Sequence, residues 1–526
     1  MARRATAQSA TSLLNDASVV PRGRAAIEMR FAPIRWDALF GTGEKGSSTQ
    51  NIAWSLDVDS LGTRALPFLA TAETAIRTLT NSPNFLVTAG QLVSIANSRV
   101  LTVPLIVQYG VTSRLTVGFM VPLVETRSLV DVRLNPHQGF ANVGPNPALL
   151  EEQAHAPSAA LVSSLRSAST ALQQKITACQ TTPSDPSCAS ILAQRAEAEA
   201  LVQRGGDFAA AVEQLYGTST EHPGEPFVPL RSGLIQRSID FQIQSLAAGY
   251  QNFLGANVIT GSVTGASGPA ANAVLQSLLT AAGRDTIAPI DRSSIGDISF
   301  GATFQLANTF SDSLSLHGYR VALNGTFRLA TGEPANRNRL FDVGTGYGQN
   351  GVELGAAADV QLGRRISATA VGSYTMQLGT VHVERVPTTA NALLPLTAPT
   401  PGEYSAGNVI MASIKPRIRI AGFFAAYGQY TLTHTGADEY TLLSPVTDST
   451  GNVISVAPAA PFGLASATAH QIGFGFTYST IATGDARPTR LPFELSFTHL
   501  ETIAASGGPV PKTFRDQVAF RLYVSP

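Results

Sequence analysis

The sequence predicts a closed, antiparallel transmembrane β-barrel of about fourteen strands, alternatively twelve, interrupted by a largely helical insert. Three observations predict it. Apolar and polar residues alternate in segments of roughly ten residues separated by turn residues, the pattern of a strand with one face on lipid and one on a lumen. No stretch approaches the roughly 18 to 20 consecutive apolar residues of a spanning helix, so any crossing of a membrane falls to strands. The chain of 526 residues is 44% apolar but only 14% charged, against about 25% in a typical soluble protein.

Lys plus Arg and Asp plus Glu are both 36, giving no net charge. That balance excludes the basic excess of a nucleic-acid binder. A soluble chain this large and this sparsely charged would tend to precipitate, whereas a lipid-facing one would not.

Residues 1–24 read as a signal remnant and N-terminal segment. Met1-Ala-Arg-Arg4 is a basic start and Ala5-Thr6-Ala7 before Gln8 resembles a signal-peptidase site, although the apolar stretch expected between them is missing. A chance Ala-rich opening is the other reading.

The first barrel strands are expected within 25–133, at about 25–37, 50–60, 84–96, 98–110 and 113–133. The remaining strands are expected within 296–526, at 296–309, 313–331, 352–362, 366–378, 406–420, 422–436, 466–481, 488–504 and 512–525. The clearest places Val352, Leu354, Ala356, Ala358, Val360 and Leu362 on one face. Loop parity agrees with a barrel whose termini lie in the periplasm. With the first strand running outward, the connections at Val111–Thr112, Ser311–Asp312, Gly363–Arg364 and Ala421–Gly422 fall inside and are tight. Those at 134–295, 332–348, 379–405 and 437–465 fall outside and are long. Two departures remain: 61–83 is long on the inside, and 97–98 is short on the outside.

Residues 134–295 have a different period. Leu161, Leu165, Ala168, Leu172 and Ile176 share a helical face, and a second helix is expected from Asp185-Pro186 to Gly205-Gly206. Further helices are expected near 207–216, 237–254 and 270–283. Cys179 and Cys188 flank a Pro-rich turn and suit a disulfide in an oxidising compartment, with two free thiols as the alternative. Parity starts and ends this insert outside, as an extracellular cap or as a plug folded into the lumen.

The last strand alternates Phe514, Val518, Phe520, Leu522 and Val524 against Arg515, Gln517, Ala519, Arg521 and Tyr523, with Asp516 as the polar exception on the apolar face. It resembles the final strand that outer-membrane proteins present to the barrel-assembly machinery, departing from it in ending Val-Ser-Pro.

The hairpin Tyr109-Gly-Val-Thr-Ser-Arg-Leu-Thr-Val-Gly-Phe-Met-Val-Pro-Leu-Val124 resembles a family of outer-membrane barrels labelled phenol meta-pathway degradation or transporter-like. These are distantly akin to the hydrophobic-compound channels typified by the long-chain fatty-acid transporter. Ser113 stands where that family more often has Asp. The resemblance resumes at Gly296-Asp-Ile-Ser-Phe-Gly301 and Arg328-Leu-Ala-Thr-Gly-Glu333. It then covers Gly344-Thr-Gly-Tyr-Gly-Gln-Asn-Gly351 and Gly372-Ser-Tyr-Thr375. It implies passage of small molecules, aromatic ones among them, and not their degradation.

Candidate chemistry is sparse. Lys415, Arg417 and Arg419 alternate with isoleucines and Pro416, and lipid exposure would cost a midplane cation roughly 2 to 4 kcal/mol. They are therefore expected on the lumen wall, as a ladder favouring anions or, the preferred reading, as structural ion pairs with Glu353, Asp359 or Glu494. His434 with Asp438 is the best catalytic candidate, but no nucleophile pairs with it. His382-Val-Glu384 is a weak ligand pair. Gly344–Gly351 lacks the Lys-Ser/Thr ending and strand-to-helix context of a phosphate loop. No catalytic, cofactor or metal site and no nucleic-acid partner is expected. The expected role is an outer-membrane channel for passive passage of small solutes, hydrophobic or aromatic ones included. A non-conducting barrel that anchors a surface cap for adhesion or partner binding is the alternative. The expected partners are outer-membrane lipid, a small solute and, during biogenesis, the assembly machinery.

Overall fold

Strand alternation closes on itself in the computed structural model. It describes residues 12–524 apart from 41–47, 54–55, 137–139, 282–284, 286, 311–316, 337–338, 340, 386–397, 448–450, 455–464 and 482–491. Thirteen strands form one antiparallel sheet. They are β1 (Ala25–Trp36), β2 (Leu92–Gly110), β3 (Leu115–Leu134), β4 (Ile290–Ile295), β5 (Ser299–Asn308), β6 (Gly318–Arg328) and β7 (Gly351–Gln361). The rest are β8 (Ile366–Gln377), β9 (Val409–Ala421), β10 (Phe424–Thr435), β11 (Ala467–Ser479), β12 (Phe493–Gly507) and β13 (Phe514–Val524). Apart from β4, each strand pairs with its neighbours in order. The ring closes at two seams: β1 pairs with both β2 and β13, and β3 pairs with both β2 and β5. The extra strand β4 continues the line of β5 along β3, pairing Leu123–Ser128 where β5 pairs Leu115–Met120. The barrel therefore has twelve strands, the smaller of the two expected counts.

The correction lies between 50 and 110. Residues 84–96 and 98–110 belong to a single strand, 19 residues long. Asn97, Ser98 and Arg99 look like a turn because three polar residues adjoin, yet Ser98 points inward to bond Ser128 Oγ at 3.0 Å while its neighbours point out. Segment 50–60 holds only the end of a three-residue strand, Thr49–Asn51. Without those two strands, 61–83 moves to the outer side and the short outer turn at 97–98 disappears, so both parity departures vanish. Of the outer connections, only 508–513 is short.

Outward residues define a lipid-facing band. On β2 these are Tyr109, Val107, Leu105, Val103 and Leu101, followed by Arg99 and Asn97; on β3 they are Leu115, Val117, Phe119, Val121 and Leu123, followed by Glu125 and Arg127. Leu101 pairs with Glu125, so the change to polar residues occurs at one height on both strands. With a rise of about 3.3 Å per residue and a tilt of about 40°, Leu101 to Tyr109 spans roughly 20 Å, close to the apolar band of outer-membrane barrels. An even-stranded closed barrel with such a band is an outer-membrane protein, since closure pairs every backbone group within lipid. No described helix is long and apolar enough to span.

Beyond the band β2 and β3 continue together, and the helical insert packs on their outer ends. Leu92, Val132 and Leu134 share a core with α1 (Leu69–Thr80), α2 (Ala156–Thr181), α3 (Arg195–Tyr216), α4 (Leu234–Leu254) and α5 (Asn272–Ala281). The disulfide Cys179–Cys188 closes the turn after α2. Contrary to expectation, Gly205-Gly206 ends no helix, and α3 runs through it to Tyr216. The Tyr250 hydroxyl bonds Ser169 Oγ at 2.6 Å and the Leu201 carbonyl at 3.2 Å, and a Cβ on Gly205 would stand 1.9 Å from that hydroxyl. The glycine is there for close approach between helices.

Candidate functional site

The lumen is occupied by the chain's own N-terminal segment, which runs from Val20 at the inner end to Ser12 beside Glu353 and Arg30. Leu13 packs on Ile106 and Met120, and Leu14 and Ala17 pack on Ala322 and Ala357, all buried. The backbone of this segment is held by wall side chains. Thr116 Oγ1 accepts from the Val20 amide at 2.8 Å, Asp359 accepts from the Ala17 amide at 3.1 Å, and Gln305 donates to the Ala17 carbonyl at 2.8 Å. Ser12 donates to Glu353 at 3.1 Å. The sequence offered a signal that went unread here: Leu13, Leu14, Ala17 and Val20 are an apolar cluster just upstream of β1.

Between this segment and the wall of β8 to β13 lies a cavity of about 490 Å³. Its wall is built from the inward faces of those strands: Thr369, Ser373, Thr375, Gln429, Thr431 and Gln471. Toward the outer end Ile34, Trp36, Met411, Phe341 and Val343 add an apolar surface. None of the described lining residues comes from 134–295.

Much of the outer lining belongs to the connection 329–350, which is fastened by Asp297. This fully buried carboxylate sits in the break between β4 and β5. It accepts from the Gly332 amide and from the Tyr347 amide, both at 2.9 Å, and Arg328 stands 3.7 Å away, its guanidinium 4.0 Å from the Tyr347 ring centre. Nearby, Arg292 of β4 reaches Asp342 at 3.1 Å. Asp297 was invisible as a site residue because only the fold joins it to partners 35 and 50 residues away.

Lys415, Arg417 and Arg419 alternate with outward Ile414, Pro416, Ile418 and Ile420 on β9, and Lys415 lines the cavity with Nζ 5.2 Å from the Tyr427 ring centre. No ion pair within 4 Å joins any of the three to Glu353, Asp359 or Glu494 among the described residues. Those carboxylates have other partners. Asp359 binds Arg320 at 2.9 Å and accepts from Thr369 at 2.7 Å. Glu353 accepts from Ser12 and from Thr375. Glu494 faces Arg521 in register, while Arg521 itself donates to Glu28 at 2.7 Å. Among the described residues, then, Asp359 is engaged by Arg320 and Thr369, Glu353 by Ser12 and Thr375, and Glu494 has Arg521 beside it in register, with no ion pair within 4 Å to the ladder.

The weaker candidates separate. His434 points outward on β10 and its Nδ1 meets Thr468 Oγ1 at 2.9 Å, while Asp438 accepts from the Tyr404 hydroxyl at 3.0 Å and the Gly407 amide at 2.9 Å. His382 stacks edge-on with Tyr404, and the side chain of Glu384 lies outside the described residues. Gly344–Gly351 leads into a strand and not a helix. Asp516, the polar exception of the last strand, meets His499 at 2.7 Å on the outward face at the upper edge of the band.

No family model and no curated protein matches the chain. Solved structures do. An outer-membrane channel from Pseudomonas putida F1 is 10% identical, covering 98% of this chain and 100% of that one, with a TM-score of 0.40. The P. putida toluene transporter TodX is 11% identical over 96% of this chain and 91% of its own, with a TM-score of 0.26. A Pseudomonas aeruginosa FadL homologue is 8% identical over 95% and 89%, with a TM-score of 0.23. The architecture itself rests on the strand pairings of this chain.

Proposed function

We propose that the chain is a channel for passive passage of small solutes, hydrophobic or aromatic ones included, across the outer membrane. The carrying observation is the cavity of about 490 Å³ inside a closed barrel, hydroxyl- and amide-lined on one wall and apolar toward its outer end. That volume suits one small molecule. Residues 134–295 act as an extracellular cap and not a plug, because they pack on the outer ends of β2 and β3 and supply no described lining residue. The outward apolar face of β13 is the part offered to the barrel-assembly machinery.

Planar-bilayer conductance of the full chain and of a version lacking 140–290 tests this. Steady conductance in both supports the channel with an external cap. Conductance only after deletion would make the insert the plug, and silence from a folded barrel in both would overturn the channel.

One observation favours a second reading, a barrel that anchors a binding surface. Leu150, Leu234 and Phe241 of the insert are 77%, 76% and 66% exposed, and a partner would cover them where they form one contiguous patch. Silent bilayers together with a surface-bound partner would select it.

A further inference from the structure

The cavity has a charge bias that its composition of threonines and glutamines hides. Five cations, Arg30, Arg328, Arg339, Lys415 and Arg515, line it against three carboxylates, Glu353, Asp342 and Asp438. All three carboxylates are already engaged. Glu353 accepts from Ser12 and Thr375, Asp342 binds Arg292 and caps the Asn336 and Gly344 amides, and Asp438 accepts from Tyr404 and Gly407. On the cationic side Arg339 is held by Asp285, and Arg328 leans on Tyr347 and stands 3.7 Å from the Asp297 carboxylate. Lys415 has no carboxylate within 4 Å among the described residues, and its ammonium stands off the Tyr427 ring. Arg30 reaches the same cavity from β1 but is ion-paired there with the buried Glu28 and donates to the Ser12 carbonyl, and Arg515 reaches it from β13. Arg417 and Arg419 continue the positive line below Lys415 toward the inner end.

A cation in a narrow, protein-walled lumen is screened less than one at a surface, and a cleft lined by one sign of charge concentrates ions of the other. Above this positive floor lies the apolar wall of Ile34, Trp36, Met411, Phe341 and Val343. We infer that the cavity selects a small amphipathic anion: an aromatic or short aliphatic carboxylate. Its carboxylate faces Lys415, and its apolar part rests against the Trp36–Phe341 wall. This deepens the channel reading above and rests on it. Charge-assisted hydrogen bonds to the carboxylate supply the selectivity, and the apolar wall sets the size of the other end.

The test uses the full chain reconstituted in planar bilayers, with benzoate and its neutral isostere benzamide as probes. The expected result is chloride preferred over potassium in a salt gradient, with current blocked by millimolar benzoate and at least tenfold less effectively by benzamide. Lys415→Gln raises the half-blocking concentration of benzoate about tenfold, and Lys415→Arg restores most of it. Folding of each variant is checked by the heat-induced shift in electrophoretic mobility. Equal block by the two probes, cation preference, or a Lys415→Gln channel blocked like the parent would overturn the inference and leave the channel standing. A folded parent that passes no current would instead overturn the channel reading itself.

Discussion

Asp297 and Tyr347 are joined by a hydrogen bond of 2.9 Å from the Tyr347 amide to the Asp297 carboxylate, across 50 residues of sequence and at the break between two wall strands. At this height the wall is held partly by side chains and not by a continuous backbone ladder: Thr331 Oγ1 accepts from the Ile298 amide at 2.9 Å and donates to the Gly296 carbonyl at 2.8 Å. Such a seam is the natural weak point of the closed ring.

Asp297→Ala should release the connection 329–350 from the lumen. Two amides lose a charged acceptor, each such bond being worth about 1.5–3 kcal/mol. We expect single-channel conductance to rise several-fold and become noisier. Unchanged conductance would show that 329–350 is held by other contacts.

Removing residues 1–20 should widen the lumen, because Leu13, Leu14 and Ala17 leave the wall and no described strand is lost. Conductance should increase while the heat-modifiability shift persists. A truncated chain that no longer folds would show instead that the segment is needed to build the barrel.

The disulfide should stabilise the cap alone. Cys179 and Cys188 are 9 residues apart, and closing so short a loop is worth roughly 3 kcal/mol on the chain-entropy view. Cys179→Ser with Cys188→Ser should speed proteolysis between Thr182 and Gln194 and leave the barrel's thermal transition where it was.

Gly205→Val should loosen the helices further, since even a Cβ meets the Tyr250 hydroxyl. Overpacking of this kind costs about 1–3 kcal/mol. The readout is hydrogen exchange in α3 and α4, expected to quicken in both while β6 to β9 stay protected.

The cap should also weaken in acid. The Arg166 guanidinium bonds Glu213 at 2.6 Å and holds its carboxyl below the usual carboxylate range, against a smaller opposing effect of burial. A carboxyl lowered by folding contributes stability above its unfolded value, and that contribution is lost as pH falls through the folded value. The effect is small because both side chains are partly exposed. Cap proteolysis at pH 3 compared with pH 7 should rise less in Glu213→Gln than in the parent.

Alternation was the readable part of the sequence, and it was readable because lipid admits almost no polar residue on the outward face. Where β2 leaves the lipid that constraint ends, so Asn97 and Arg99 broke the pattern and one strand looked like two. The Ser12–Val20 segment has no period at all, because its amides are satisfied by Thr116 and Asp359 of the wall and not by a ladder. Gly205-Gly206 read as a stop because glycine disfavours helix on its own, and the helix continues because tertiary packing outweighs that preference. The direction of Lys415 followed from local spacing. Its lack of a carboxylate partner depended on where Asp359 and Glu353 found theirs, which no spacing encodes.

The β2–β3 hairpin is about twice as long as the lipid requires, and its outer third, Leu92–Asn97 against Leu129–Leu134, stands beyond the pairings with β1 and β4 as a hydrogen-bonded mast with the helices seated on its tip. Register continues unbroken from Leu92↔Leu134 to Ser98↔Ser128, where β1 and β4 pair with the same two strands and make them barrel wall. A tug or tilt on the cap is therefore delivered along a stiff ladder to the lumen rather than absorbed in a loop. On the external-cap reading proposed above, a partner bound to the helices would have a lever on the pore.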